Sequence, residues 1–460
     1  MEQYIIRKEP ADHKWMAWLA AILLIFNVYH HMLVRIALYY SAATTALLQG
    51  IAVGLLVLFL VKDRKLKLLN VQIQPLDWMA FLTFAVILLT VRDYSGVLTY
   101  ILRYGVLVVI ILLMKYSDRL PGIFFYTILA AGLFHVAATL WFSVDTDFYL
   151  QHIYPHFDAQ QRAHLYAQVM HNHYAVGLAS HYSQNGIYIS VALCSAFALA
   201  FGDLKKGWRV LTLLAIGTAF LALLMTGKRG ALVFSVFAMV GTYVLCAKGA
   251  VIRRILMALL ALAILFFCAY GLSLCVESVG AGFQRFLSMF TDGNTLEELS
   301  NGRFKLYKIA WDLFLEHPIL GIGWREFTKE AAMYFGQDAA LRDVHNVFLQ
   351  LLCETGMVGG CAFVALFAAA FGMTVYCIRK AAGGQWQLSR HTKTALVFSL
   401  CYQLFFLSYC MTGNPLYDLE TVYVYLLSIG ISGSVYFQKR QIPEEERQSK
   451  YIKWPRRREI

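Results

Sequence analysis

Arg342, Asp343, His345 and Asn346 stand together just before a long apolar run that carries Glu354 within it. Ionisable groups at the boundary of such a run are costly to keep there, so their retention points to use rather than packing. An imidazole titrates near neutrality and can take or position a proton. A satisfied interfacial histidine is the plainer alternative, and the polar company of His345 makes it less attractive. Thr226-Gly227-Lys228-Arg229-Gly230 ends another apolar run. Arginine grips phosphate oxygens bidentately and stays charged in any surroundings, and the flanking glycines let a bulky ligand approach the backbone. Arg303 opens an amphipathic stretch, 302–315, where a guanidinium opposes the helix dipole unless an anion lies between them. Gln184-Asn185 could offer side-chain amides to a sugar or a diphosphate. Glu354 is expected to be structural, paired with an arginine of another span.

The elements that must position these groups are membrane helices. Hydrophobic residues make up 59% of the chain and charged residues 15%, with a mean hydropathy of +0.57. A soluble domain carries roughly a quarter charged residues. Continuous apolar runs approaching the roughly 20 residues that span a bilayer predict an all-α polytopic protein rather than a β-barrel. About twelve spans are expected, near 15–34, 37–61, 77–91, 98–114, 121–143, 185–202, 208–226, 230–247, 255–274, 346–378, 394–413 and 418–437. The run 346–378 contains Gly359-Gly360 and is expected to tilt or kink. No cleavable signal peptide is expected, because the first apolar run lacks a small-residue cleavage site. The organisation that follows is N-terminal spans (1–143), an external histidine-rich loop (144–185), central spans (186–274), a large external loop domain between the ninth and tenth spans (275–345), C-terminal spans (346–437) and a basic tail (438–460).

Lysine and arginine set the orientation. With the N-terminus in the cytoplasm, the inner connections and the tail hold 27 of the 40 basic residues, so both termini are expected inside. The remaining basic residues, among them Arg35, Arg92, Arg103, Lys228, Arg229, Arg285, Arg303, Arg325 and Arg342, go against that bias, and an anionic ligand at the outer face is the simplest reason to keep them. The net charge of +12 is spread over alternate loops, which argues against nucleic acid. The tail segment Lys450–Arg458 suits a topology signal and a contact with anionic membrane lipids. The nine cysteines lack a CxxC pair and are expected as small buried side chains. Six of the thirteen histidines fall in 144–185, but their spacing fits no closed zinc pattern and no metal is expected there; that loop suits sugar contact or an interface. A nucleotide-binding glycine loop is missing, which argues against an ATP-driven pump.

Three blocks carry a resemblance. They are Met225–Ala231, then Asn301-Gly302-Arg303 through Trp311 to His317-Pro318-Ile319-Leu320-Gly321-Ile322-Gly323-Trp324, then Val344–Gln350 through Glu354-Thr355-Gly356. In order and spacing, over about residues 210–375, the chain resembles the O-antigen ligase and polymerase superfamily, multi-pass glycosyltransferases acting on undecaprenyl-diphosphate-linked glycans. The resemblance implies that Arg229 and Arg303, with Lys228 beside them, hold the donor diphosphate. It implies that His345 acts on the acceptor hydroxyl as base or positioning group, without cofactor or metal and with inversion. Some ligases carry a second histidine where this chain has Asp343. The acceptor stays open between lipid A core, which a ligase would use, another glycan repeat, which a polymerase would use, and a protein, which an O-linking oligosaccharyltransferase would use. A ligase of lipopolysaccharide biosynthesis is the reading preferred, and a flippase that moves lipid-linked glycan without forming a bond is the rival class.

Overall fold

The computed structural model describes residues 13–29, 42–63, 72–94, 97–202, 205–247, 249–291, 303–335 and 343–440, and every regular element among them is helical. The first five helices are α1 (Lys14–Tyr29), α2 (Ala42–Lys62), α3 (Pro75–Thr90), α4 (Leu98–Met114) and α5 (Leu120–Val144). Two short helices, α6 (Thr146–His152) and α7 (Ala159–Tyr166), build the histidine-rich segment. Then come α8 (Tyr182–Leu199), α9 (Lys206–Met225), α10 (Arg229–Cys246) and α11 (Val251–Ser273). The second long segment contains α12 (Glu277–Thr291), α13 (Arg303–Glu316) and α14 (Phe327–Phe335), and the chain continues into α15 (Val347–Ala382), α16 (Arg390–Tyr409) and α17 (Leu419–Arg440). Arg342, Arg35 and the tail segment 450–458, all singled out in the sequence, lie outside the described residues.

Each expected apolar run coincides with a helix over its described part, but among the described residues seven helices, α2, α5, α9, α10, α11, α15 and α17, are long and apolar enough to cross a membrane. Apolar α1, α3 and α4 are shorter. In α8 and α16 the apolar run is diluted by serine, threonine, asparagine and glutamine, which pair across the bundle: Asn185 donates to Thr139 Oγ1 (3.0 Å) and Gln403 to Thr374 Oγ1 (2.9 Å). The central helices α5, α8, α16 and α17 are buried along most of their length, whereas α11 buries only Ala258 and Ala269. Of the cysteines, Cys268, Cys275 and Cys361 are exposed rather than buried; Cys268 and Cys361 sit on helix surfaces made almost entirely of apolar side chains.

Helix ends gather on two faces. On one, the Trp324 amide donates to Thr90 O (3.1 Å), Val347 to Cys410 O (2.9 Å) and Ala175 to Met225 O (3.0 Å), joining the ends of α3, α16 and α9 to the long connecting segments. On the other, Lys115 pairs with Asp77 at 2.5 Å and Gln438 donates to Lys115 O (3.3 Å), joining the end of α4 to α3 and α17. Of the basic residues at helix connections, Lys115, Lys380 and Arg440 lie on this second face.

The long helix α15 is broken, not at Gly359-Gly360 but at Gly356, whose φ of 62° and ψ of −164° no helix contains. The segment 317–326 inserts at the break and takes over its hydrogen bonds. Ile322 and Gly323 donate to the freed carbonyls of Cys353 and Glu354, both at 2.9 Å. Met357 and Val358 donate in turn to Pro318 O (2.8 Å) and Ile319 O (3.3 Å). Non-helical backbone at membrane depth survives only when its polar groups are met in this way. The insertion leaves no room for side chains: a Cβ on Gly321 would sit 2.3 Å from Glu354 C, and one on Gly356 2.2 Å from Ile319 O. Trp324 then anchors the segment, 1% exposed and stacked 4.7 Å from the Tyr417 ring.

A small second core stands on the first turns of α15. The amphipathic α13 buries Leu306, Ile309, Ala310, Leu313 and Phe314, while Phe304 stays exposed, and Phe327, Ala331, Val344 and Cys353 close over part of that face. The helix ends before His317-Pro318, where the next amide is missing. The histidine-rich segment has its own core of Phe142, Tyr149, Phe157 and Leu165.

Because both glycines combine a left-handed φ with backbone contact, Gly321→Ala or Gly356→Ala is expected to cost at least about 2 kcal/mol. Thermal unfolding in detergent would show a clear fall in midpoint. Gly372→Ala, further along α15, meets nothing within 4 Å and is expected to leave the midpoint nearly unchanged.

Candidate functional site

On the first face, four cations converge on one cavity of about 390 Å³, lined by Lys228, Arg229, Arg285 and Arg303 together with Tyr182, Tyr409 and Thr412. No carboxylate among the described residues lines it. The turn between α9 and α10 supplies two of the cations. Gly227 takes φ +64°, with the Tyr174 ring 2.9 Å from where a Cβ would be, and Thr226 Oγ1 accepts the Lys228 amide (3.2 Å). This turn places Lys228 at the cap of α10 and Arg229 in its first turn, with no side chain capping the helix. Helix-start amides left unmet in this way favour an anion.

Each cation is held from behind. Arg229 Nη1 donates to Ser288 Oγ at 3.5 Å, and Ser288 Oγ donates to Arg285 O at 3.0 Å. Arg285 donates to Tyr182 OH (2.9 Å) and lies over the Tyr174 and Tyr182 rings at 4.6 and 4.9 Å. Arg303 Nη1 donates to Thr412 O at 3.0 Å, so the conflict with its own helix dipole is eased by a carbonyl beyond the end of α16. Lys228 Nζ stands over the Tyr409 ring at 5.8 Å. Burial, with Arg303 and Arg285 adding to it against the pull of Asp418, brings the Lys228 ammonium down to about 8. Burial, then the Lys228 cation, holds His181 down at about 4. It is therefore neutral near pH 7, and its Nδ1 accepts the Ser183 amide at 3.0 Å.

Arg285 is the residue that motif reading passed over. Its signal was present: it belonged to the cations that oppose the topology bias, but no motif marked it. Beside the cavity opens an apolar cleft of about 490 Å³ between α9, α10, α11 and α12, walled by Leu224, Val236, Phe266 and Phe286. Val233 lines both spaces.

His345 does not line this cavity. It takes a left-handed φ of 60°, a conformation that costs energy and recurs at functional positions. Its carbonyl accepts Tyr307 OH at 3.4 Å, from the turn of α13 that follows Arg303. Asn346 caps α15, accepting the Leu349 amide at 3.1 Å. Asp343 accepts from Gln350 Nε2 (3.2 Å), which also donates to Glu354 (3.1 Å). Glu354 is fully buried, and its expected arginine partner from another span is replaced by backbone: Arg325 N donates at 2.9 Å and Phe327 N at 3.4 Å. Its role in the geometry is to hold the inserted segment. Asn185 is buried against Thr139 and Ala175 O (3.0 Å), and Gln184 donates to Glu420 (2.8 Å). Neither amide lines the cavity; they tie α8 to α5 and to α17. His173 Nε2 faces Glu277 at 3.4 Å.

The family model for the O-antigen ligase matches residues 214–364, the stretch from α9 into α15 that holds all four cations, His345 and Glu354. No curated protein matches the chain.

An anion entering the cavity raises the Lys228 pKa above its free value, so the affinity that Lys228 contributes is complete below about pH 8 and falls as pH rises through it. Pyrophosphate titrated calorimetrically into the detergent-solubilised protein is expected to bind up to about tenfold more weakly for each pH unit above that point until the bound-state pKa is reached. Lys228→Arg should flatten the profile over this range.

Proposed function

We propose that this chain, a member of the O-antigen ligase superfamily, is a glycosyltransferase of the bacterial inner membrane. It moves a glycan from an undecaprenyl-diphosphate carrier to an acceptor hydroxyl at the outer face. The observation that carries the reading is the four-cation cavity beside an apolar cleft. A lipid diphosphate has this pairing of parts: a doubly charged head for Lys228, Arg229, Arg285 and Arg303, and a hydrocarbon chain for the cleft between α9 and α12. The second face, with its basic connections, is read as cytoplasmic, which puts the cavity outside and both termini inside.

The chemistry then follows from charge. The acceptor oxygen forms a bond to the anomeric carbon as the bond from that carbon to the diphosphate oxygen breaks. Negative charge grows on the leaving diphosphate, where donors already aimed at it are worth most because nothing reorganises during the step. His345 positions the acceptor hydroxyl and takes its proton. Attack from the side opposite the diphosphate inverts the anomeric centre, and the fixed cations serve in place of a metal. Asn346 and Asp343 support His345 by fixing the start of α15. A lipid A core acceptor, and hence a ligase of lipopolysaccharide biosynthesis, is the preferred form; a glycan repeat or a protein acceptor would use the same site.

Purified protein in detergent, given lipid-linked donor and acceptor, is expected to form product. Arg229→Ala, Arg303→Ala and Arg285→Ala should each slow transfer by about a hundredfold to a thousandfold, and His345→Ala should act on turnover more than on donor affinity. Full transfer by all of these folded variants would overturn the reading, and absence of product from the wild type would favour a flippase. Mass spectrometry of lipopolysaccharide and of exported proteins from a deletion strain separates the acceptors: the ligase form predicts glycan lost from lipopolysaccharide alone.

A further inference from the structure

A groove unused by this chemistry lies on the opposite face. It has a volume of about 460 Å³ and runs between α3, α4, α15 and α17, bounded by Gln74 and Arg440 at its mouth. Its walls repeat at helical spacing: Ala369, Gly372, Met373 and Tyr376 on α15, and Gly433, Tyr436 and Arg440 on α17. The floor near the mouth is the buried pair of Asp77 and Lys115, 2.5 Å apart, so the one carboxylate in the lining is already neutralised. Two other cations are near: Arg440 lines the groove, and Lys380 follows the lining residue Tyr376 by about one turn of α15. Arg440 lies over the Tyr436 ring at 5.1 Å and Lys380 over the Tyr376 ring at 5.4 Å, while the two rings meet edge to face at 5.9 Å. Neither cation forms an ion pair among the described residues.

We infer that this groove is a binding site for one anionic glycerophospholipid of the inner leaflet, with its headgroup phosphate between Arg440 and Lys380 and an acyl chain along Gly372 and Gly433. Its length commits the occupant to a lipid. From Lys380 to Ala369 the helix rises about 16 Å, close to half of the roughly 30 Å hydrocarbon core. A free phosphate would use the mouth and leave the apolar walls empty. The depth of the groove comes from missing side chains: a Cβ on Gly372 meets nothing within 4 Å, and one on Gly433 meets only Leu76 and Met373, at 3.5 and 3.9 Å. A juxtamembrane cation attracts anionic lipid, and two cations stacked on tyrosines are positioned to select the headgroup. The site is remote from the four-cation cavity; only its assignment to the inner leaflet rests on the orientation proposed above.

Native mass spectrometry of the full-length, delipidated protein with added phosphatidylglycerol or phosphatidylcholine tests this. The wild type is expected to hold one phosphatidylglycerol about tenfold more tightly than phosphatidylcholine, and Arg440→Gln to lose about fivefold of that preference. Gly372→Leu fills the groove and should remove the tight adduct of either lipid, whereas Arg229→Ala with Arg303→Ala, which strips charge from the other cavity, should retain it. Millimolar inorganic phosphate should not displace the lipid. Equal adducts in wild type, Arg440→Gln and Gly372→Leu, loss of the adduct in the Arg229 and Arg303 double variant, or displacement by phosphate would each overturn the proposal.

Discussion

The site depends on a backbone exchange at the break in α15. Two amides and two carbonyls that a continuous helix would pair with each other are instead paired with the segment 317–326. Left unmet in a membrane, each such group would cost several kcal/mol, so neither the break nor the inserted segment is stable without the other. The exchange clamps the long segment between α11 and α15 to the bundle at its middle. α13 leaves this clamp in one direction and carries Arg303 to the cavity. The first turns of α15 leave it in another and carry His345. Glu354 completes the clamp by accepting the amides of Arg325 and Phe327, which explains why a carboxylate is kept in an otherwise apolar run.

Against that fixed frame the four cations are under mutual repulsion. Lys228 feels Arg303 and Arg285, which add to the larger effect of burial in lowering its pKa. Apart from the pull of Asp418 on Lys228, the structure orients them with soft partners: the rings of Tyr174, Tyr182 and Tyr409, the Ser288 hydroxyl and the Thr412 carbonyl. Such partners orient a guanidinium without cancelling its charge, so the field stays available to an incoming anion. A set of tight ion pairs would have stabilised the fold more and bound a diphosphate less.

Much of the fold was legible because its signal is local. Apolar runs of sufficient length predict helices wherever they occur, and the end of α13 before His317-Pro318 follows from the missing proline amide. The count of spans was less legible. Length and composition single out seven helices, since α8 and α16 carry polar residues for the bundle interior and α1, α3 and α4 are shorter. Paired glycines at 359–360 are the visible cue for a kink. It falls at Gly356 because the inserted segment reaches the helix there, a fact held in residues some thirty positions upstream.

By itself the sequence marked Lys228, Arg229 and Arg303 as cations at helix starts, and His345 as lying just before a helix. Residue type and position along the chain are enough for that. Only the tertiary structure decided which of them share a cavity. It added Arg285, which no motif marks. It left His345 out of the cavity wall, and it turned Asn185 and Glu354 inward to hold helices and backbone. Convergence depends on contacts between α10, α12, α13 and α16, far apart in sequence, and no local pattern records which side of a helix will face them.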